Sequence, residues 1–199
     1  MSKVLVLKSS IKGEDSLTND LIDKLLAGRE ARGLVDEVTQ HDLVSLDLPV
    51  LDAELFSALR GAENISARAR DVVALSDRLI NELKTCDLLI IGAPMYNLNV
   101  PTQLKNWFDL VVRARHTFRY TESYPHGLVE GVNAIVVSTR GGVHVGQPTD
   151  AVTPYLRAVL GLIGIADVQF IYAEGLDFQP DGKAKALADA HQQISLVAS

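Results

Sequence analysis

Short, unbroken apolar runs alternate along this chain with longer stretches in which apolar residues recur every three or four positions. The runs lie at 4–7, 88–91, 134–137 and 168–172. Continuous β-branched residues and leucines suit strands buried on both faces, as in a parallel sheet. A weaker run at 35–39 alternates apolar with polar residues and reads as an edge strand. Between the runs the period is helical. Leu17, Leu21 and Leu25 form one stripe, and Val72, Leu75, Leu79 and Leu83 a second. Leu104, Trp107, Phe108 and Val111 form a third, and Val152, Tyr155, Val159 and Ile163 a fourth. Leu187, Ala190, Ile194 and Val197 complete the set. Pro101 stands where the third helix should begin, a favoured place for proline.

Five strands alternating with five helices predict a three-layer α/β sandwich around a parallel sheet. No Pro/Gly/Ser linker and no internal repeat divides it, so residues 1–199 read as one domain. Two segments, 42–65 and 113–131, exceed ordinary loop lengths. The stretch 117–121 alternates like a strand and suggests a small hairpin. Trp107 and Phe108, on a helical apolar stripe, read as core or interface residues, and with the aromatic neighbours of this hairpin they suggest a contact between two copies of the chain that also closes a pocket.

Composition narrows the function. With 47% hydrophobic and 22% charged residues, the chain is neither disordered, coiled-coil nor collagenous. A net charge of −6 argues against nucleic acid and against anionic membranes. The lone Cys86 excludes an intrachain disulfide and a four-cysteine zinc site. The histidines, at 41, 116, 126, 144 and 191, have no ligand spacing, so no metal is expected. The first apolar run is too short for a signal-peptide core, and no stretch approaches the roughly 20 apolar residues of a membrane span. A soluble, cytoplasmic protein is expected.

Ligands of open parallel sheets bind beyond the carboxyl ends of the strands. After the first strand, Ser9, Ser10, Ser16 and Thr18 bring hydroxyls to the start of a helix. Hydroxyls, free N–H groups and the helix dipole suit one phosphate, although helix capping alone would use the same residues. Dinucleotide, nucleoside-triphosphate and nucleophile-elbow motifs are absent. After the third strand, Pro94, Met95 and Leu98 would wall a flat ring while Asn97 supplies edge hydrogen bonds. After the fourth, Arg140-Gly141-Gly142 makes a turn whose glycines let backbone N–H groups approach a ligand. A phosphate at one loop and a planar polar ring between the other two describe a flavin mononucleotide.

The start Met1-Ser2-Lys3-Val4-Leu5-Val6-Leu7-Lys8-Ser9-Ser10 resembles the FMN-dependent NADH-azoreductases, flavodoxin-like enzymes also counted as NAD(P)H:quinone oxidoreductases. The same likeness runs through Ala93-Pro94-Met95-Tyr96-Asn97, Gln103-Leu104-Lys105-Asn106, Phe118-Arg119-Tyr120-Thr121 and Ser138-Thr139-Arg140-Gly141-Gly142, and it spans nearly the whole chain. It implies a flavodoxin-like sheet of order 2-1-3-4-5 with helices on both faces. It further implies a homodimer holding one non-covalent FMN per subunit at the dimer interface. Ser10, Ser16, Leu17 and Thr18 would hold the phosphate. Pro94, Met95, Tyr96, Asn97 and Leu98 would line the flavin, with Thr139, Arg140, Gly141 and Gly142 on its pyrimidine side. The implied activity is ping-pong transfer of two electrons from NADH or NADPH through FMN to quinones and aromatic azo compounds. Tyr120, His144 and Leu162 are candidate substrate contacts, the first two also candidate proton donors. The family often carries an aromatic where this chain has Leu98 and Leu162, which bears on substrate range. Two other classes use the same fold: a flavodoxin-type electron carrier without organic substrate turnover, and a flavin-free binding protein.

Overall fold

The structure, a computed structural model, describes residues 1–178 and 180–197. Its main sheet has five parallel strands: β1 (Ser2–Lys8), β2 (Asp36–Asp42), β3 (Leu88–Gly92), β6 (Asn133–Thr139) and β7 (Val168–Ala173). A two-residue hairpin, β4 (Phe118–Arg119) with β5 (His126–Gly127), lies apart from the sheet. The strand order is β2-β1-β3-β6-β7. Counting only the five main strands, this is the expected 2-1-3-4-5, with the direction of winding reversing between β1 and β3.

Residue alternation explains the two faces. Leu5 and Leu7 of β1, Leu89 and Ile91 of β3, and Ala134 and Val136 of β6 belong to one apolar cluster. Their sequence neighbours Val4, Val6, Leu88, Ile90, Ile135 and Val137 belong to the other. The second face is covered by α1 (Leu17–Ala31) and α6 (Gly182–Val197) through Leu21, Ile22, Leu25, Ala186, Ala190 and Ile194. The first face carries α2 (Ala53–Leu59), α3 (Ala67–Thr85), α4 (Thr102–Val111) and α5 (Val152–Ile163). A side chain on either face of a parallel sheet leaves water only if helices cover both, and the sequence supplies apolar stripes for each.

The structure departs from the sequence reading in three places. The 42–65 segment is not merely a long loop. It contains α2, capped by the Asp52 carboxylate accepting from the Leu55 N–H at 2.9 Å, and it buries Leu48, Leu55 and Leu59. Pro101 caps α4 from just outside rather than opening it. Trp107 and Phe108 are not available to a second chain, because both rings are fully buried in their own core and meet edge to face at 5.1 Å. The hairpin in 113–131 forms as expected, burying Phe118 and leaving Tyr120 and Tyr124 exposed. It is anchored by Arg113, whose buried guanidinium donates to the Ser76 hydroxyl at 2.9 Å and pairs with Asp77 on α3 at 2.5 Å. Cys86 is buried, and burial pushes its thiol up to about 11, so it remains protonated and unreactive.

Candidate functional site

The loops that leave β1, β3 and β6 meet at the carboxyl edge of the sheet. Together with the loop after β7 they enclose a cleft of about 410 Å³. Ser9 ties the first two loops by donating to the Gly92 carbonyl at 2.5 Å. The third joins them because β3 and β6 continue to pair past their ends. The Ala93 N–H donates to the Val137 carbonyl at 2.8 Å and the Met95 N–H to the Thr139 carbonyl at 2.9 Å.

At the α1 end the cleft is walled by Ser10, Ser16, Leu17 and Thr18. Ser16 is the N-cap of α1, its hydroxyl accepting from the Asn19 N–H at 3.2 Å. Capping of this kind is worth about 1 kcal/mol, and it leaves the Ser16 proton free to donate outward. Thr18 and Thr139 share one hydrogen bond at 2.7 Å between their hydroxyls. Two hydroxyls joined this way use one proton between them and keep one to donate. Capping and anion binding are therefore compatible in this loop.

The opposite wall comprises Pro94, Met95 and Tyr96, with Thr139, Arg140 and Gly141 beside them. Tyr96 and Ser10 bring their hydroxyls within 3.1 Å. Tyr96 and Asn99 exchange both backbone hydrogen bonds at 3.0 Å across Asn97 and Leu98, which have φ of 49° and 66°. This two-residue turn demands left-handed backbone at both central positions. Asparagine accepts that readily; leucine does so at a cost of about 1–2 kcal/mol. Leu98 is 44% exposed in this turn.

Arg140 behaves differently from what its place in the motif suggests. Its side chain turns into the protein, fully buried, and its guanidinium stacks on Tyr172 at 4.9 Å. Nη1 lies 3.2 Å from both Asp150 and Glu174, Nη2 donates to Thr153 at 2.9 Å, and Nε donates to Ser138 at 3.2 Å. Glu174 also accepts from the N–H groups of His144 and Val145 at 2.8 and 2.9 Å. Burial raises the Asp150 pKa, but hydrogen bonds from Thr153 and Arg140 outweigh it and hold the carboxyl below the usual range. The stability it contributes is present above the ordinary carboxylate range and is lost as pH falls through the lowered value. Burial chiefly pushes the Tyr172 phenol upward, so it stays neutral beside this cluster.

What faces the cleft at 140–142 is backbone. The carbonyls of Arg140, Gly141 and Gly142 accept from the N–H groups of Leu176, Asp177 and Gly175 at 3.2, 3.1 and 2.9 Å. With the carbonyls held on that side, the N–H groups of Gly141 and Gly142 donate to no protein group among the described residues. A side chain at Gly141 would collide with the Asp177 carboxylate, and one at Gly142 with the His144 ring. Two adjacent free N–H groups form a small nest for negative charge.

Of the residues singled out from sequence, the structure thus gathers Ser10, Ser16, Leu17, Thr18, Pro94, Met95, Tyr96, Thr139, Arg140 and Gly141 in one cleft. Asn97 lines a neighbouring groove with Ile11, Val100 and Tyr155. Burial and the Asp109 carboxylate push Tyr155 up to about 12. Gly142 and His144 stand at the rim, with His144 Nδ1 2.8 Å from the Thr149 hydroxyl. Tyr120, on the hairpin, and Leu162, near the end of α5, do not line the cleft of their own chain. Lys12, Asp15, Leu176, Asp177 and Lys183 also line it, and the sequence reading assigns none of them to the site; Asp177 it reads as a solvated strand end. The last three follow β7, and nothing local marks them, since only the placement of β7 beside β6 brings them there. Among the described residues no cluster of metal-binding side chains occurs, and no helix is long and apolar enough to cross a membrane.

Comparison with known proteins agrees with the fold. Residues 2–197 match a family described as having a flavodoxin-like fold. The chain is 68% identical, with 98% of each chain covered, to a Burkholderia lata protein named FMN-dependent NADH:quinone oxidoreductase 4. It is 56% identical, with full coverage of both chains, to an Aeromonas salmonicida FMN-dependent NADH:quinone oxidoreductase. Among solved structures, an azoreductase from Bacillus anthracis superposes with a TM-score of 0.90 at 25% identity, over 100% of this chain and 99% of the other.

Two substitutions test the energetics of the site. Glu174→Ala is expected to lower the unfolding free energy by about 2–4 kcal/mol in a urea titration, because it strips a buried guanidinium of a partner and frees two N–H groups. Glu174→Gln, which keeps an acceptor oxygen, should lose less. Leu98→Gly is expected to raise stability by about 0.5–1 kcal/mol, since relief of left-handed strain exceeds the extra entropy of an unfolded glycine. An unchanged or lower transition midpoint for Leu98→Gly would show that the turn is unstrained.

Proposed function

The chain belongs to the flavodoxin-like fold family, and on that footing we propose that it is an FMN-dependent oxidoreductase moving two electrons from NADH or NADPH to quinones and aromatic azo compounds. The observation that carries this reading is one cleft lined by hydroxyls at a helix N-terminus and by Gly141, whose N–H, like that of the adjacent Gly142, donates to no protein group among the described residues. Hydroxyl donors at one end suit a phosphate, and backbone donors at the other suit the electron-rich edge of a planar heterocycle. Hydride acceptance from a nicotinamide and delivery to a quinone or azo bond is the chemistry that FMN supplies when bound.

The chain's own residues bind, orient and tune. Ser10, Ser16 and Thr18 donate to the phosphate, helped by the dipole of α1. Leu17, Pro94, Met95 and Tyr96 would wall the ring, and Asn97 and Leu98, in the turn that follows, would contribute beside them. The Gly141 and Gly142 N–H groups stabilise negative charge at the pyrimidine edge, as an oxyanion hole does. Thr139 steadies the same edge, and the Arg140 guanidinium acts through the backbone it anchors. His144 Nδ1 lies 2.8 Å from the Thr149 hydroxyl, and in the tautomer whose Nδ1 accepts, the Nε2 proton would be available to a reduced acceptor.

The same reading includes a homodimer. Ile11, 60% exposed, lines a groove with Val100 and Tyr155, and the adjacent turn exposes Leu98, so apolar surface lies beside the cleft. A second chain seated there would close the site. Tyr120 and Leu162, outside their own cleft, would then contact substrate only in the partner's site. A buried, protonated Cys86 and the chain's negative charge suit the cytoplasm.

One ring-binding cleft serving both donor and acceptor requires that they occupy it in turn. Initial rates at varied quinone and several fixed NADH concentrations should therefore give parallel double-reciprocal lines; intersecting lines would require a second site. Sedimentation at micromolar concentration should show a species of twice the chain mass. A monomer with full quinone-reductase activity would refute the shared interface.

A further inference from the structure

Four charged side chains line the cleft without ion-pairing to one another: Lys12, Asp15, Asp177 and Lys183. Their charges cancel, and Arg140 offers the cleft no free charge, because its guanidinium is buried against two carboxylates, Asp150 and Glu174, which outnumber it by one. Lys183 differs from the rest in its origin. It belongs to the first turn of α6, directly after the loop that follows β7 and far in sequence from the loops after β1, β3 and β6.

Two features of the fold bring it there. First, α1 and α6 run parallel on the same face of the sheet. Lys24 Nζ lies 2.8 Å from His191 Nε2, and further along Arg32 donates to the Ser195 carbonyl. Later residues on one helix meet later residues on the other, so both N-termini open at the carboxyl edge. By that register Lys183 stands level with the first turn of α1, where Ser16 and Thr18 present their hydroxyls. Second, α6 starts hard against the loop after β7. The Gly182 N–H donates to the Phe178 carbonyl at 3.0 Å, and any side chain at Gly182 would collide with the Gly175 carbonyl.

We propose that Lys183 is a phosphate-selecting residue, whose ammonium reaches across from α6 to the anion held by Ser16 and Thr18 and so makes the cleft prefer FMN to unphosphorylated riboflavin. The inference rests on the flavin reading of the cleft. Its physical basis is a balance of charge. With Lys183 the cleft's unpaired lining charges sum to zero; without it they leave a net negative charge facing a phosphate dianion, on a chain whose own net charge is −6. An exposed ammonium contributes through a screened field, so the effect should be modest and salt-dependent.

The test is equilibrium binding of FMN and of riboflavin to flavin-free full-length protein, followed by quenching of flavin fluorescence at low and high ionic strength. Lys183→Gln should weaken FMN by about 3- to 5-fold at low salt, and Lys183→Glu by about 10-fold, with riboflavin unchanged. Raising the salt should close the gap. Lys185→Gln, which removes the same charge from the same helix but lines a different depression, should leave both affinities as they are. Equal losses for FMN and riboflavin would show that Lys183 only supports packing of α6 and would overturn the proposal. So would an unchanged preference for FMN in Lys183→Glu, or an equal effect of Lys185→Gln. If the unaltered protein binds riboflavin as tightly as FMN, the phosphate reading of the cleft itself fails.

Discussion

A guanidinium taken wholly out of water must find anions and acceptors for its protons, and Arg140 finds them on three different elements. Glu174 follows β7, Asp150 and Thr153 begin α5, and Ser138 lies within β6 itself. Satisfying that single charge fixes where the loop after β6 runs and where α5 starts. It also places Glu174, whose remaining capacity orders the backbone at His144 and Val145. Replacing an element of such a cluster leaves a buried charge short of partners, a larger penalty than the net worth of the intact pair. The free N–H groups of Gly141 and Gly142 are a consequence of this anchoring. Because the carbonyls of 140–142 are consumed by the loop after β7, the donors have only the cleft to face.

The parallel sheet imposes a second constraint. All five strands end at the same edge, so every strand-to-helix loop of interest opens on one side. The reversal of winding between β1 and β3 parts their loops and leaves a crevice there. Hydrogen bonding beyond the nominal end of β3 keeps Pro94 and Met95 against Thr139, so the loops after β3 and β6 form one continuous wall. The turn at Asn97 and Leu98 is short, strained at a leucine and partly exposed. Strain of this kind persists where the surrounding structure over-determines it, commonly beside a ligand.

Charge is distributed with the same economy. The chain is acidic overall, yet the cleft is not, because Lys12 and Lys183 offset Asp15 and Asp177. The dipoles of two parallel helices, α1 and α6, add positive potential at the same edge. Binding of an anion by an acidic protein thus depends on local arrangement rather than on net charge.

Much of this was legible in the sequence. Unbroken apolar runs and helical stripes specify strands and helices directly, because burial on both faces leaves no room for polar residues. Their alternation then restricts the fold to a parallel α/β sandwich. The loops after β1, β3 and β6 could be read as ligand-binding because hydroxyls, proline, asparagine and paired glycines serve few purposes in such places. The sequence could not show that Arg140 turns inward, since an arginine in a glycine-rich turn reads the same whichever way it points. Nor could it show that Trp107 and Phe108 lie in their own core, or that Tyr120 and Leu162 stand away from the cleft. Lys183 and Asp177 reach the site only because β7 lies beside β6 and α6 lies beside α1. Local patterning therefore determined the elements and the chemistry of the loops, whereas only tertiary packing decided which distant charges share that chemistry, because electrostatic partners are chosen by distance in space and not along the chain.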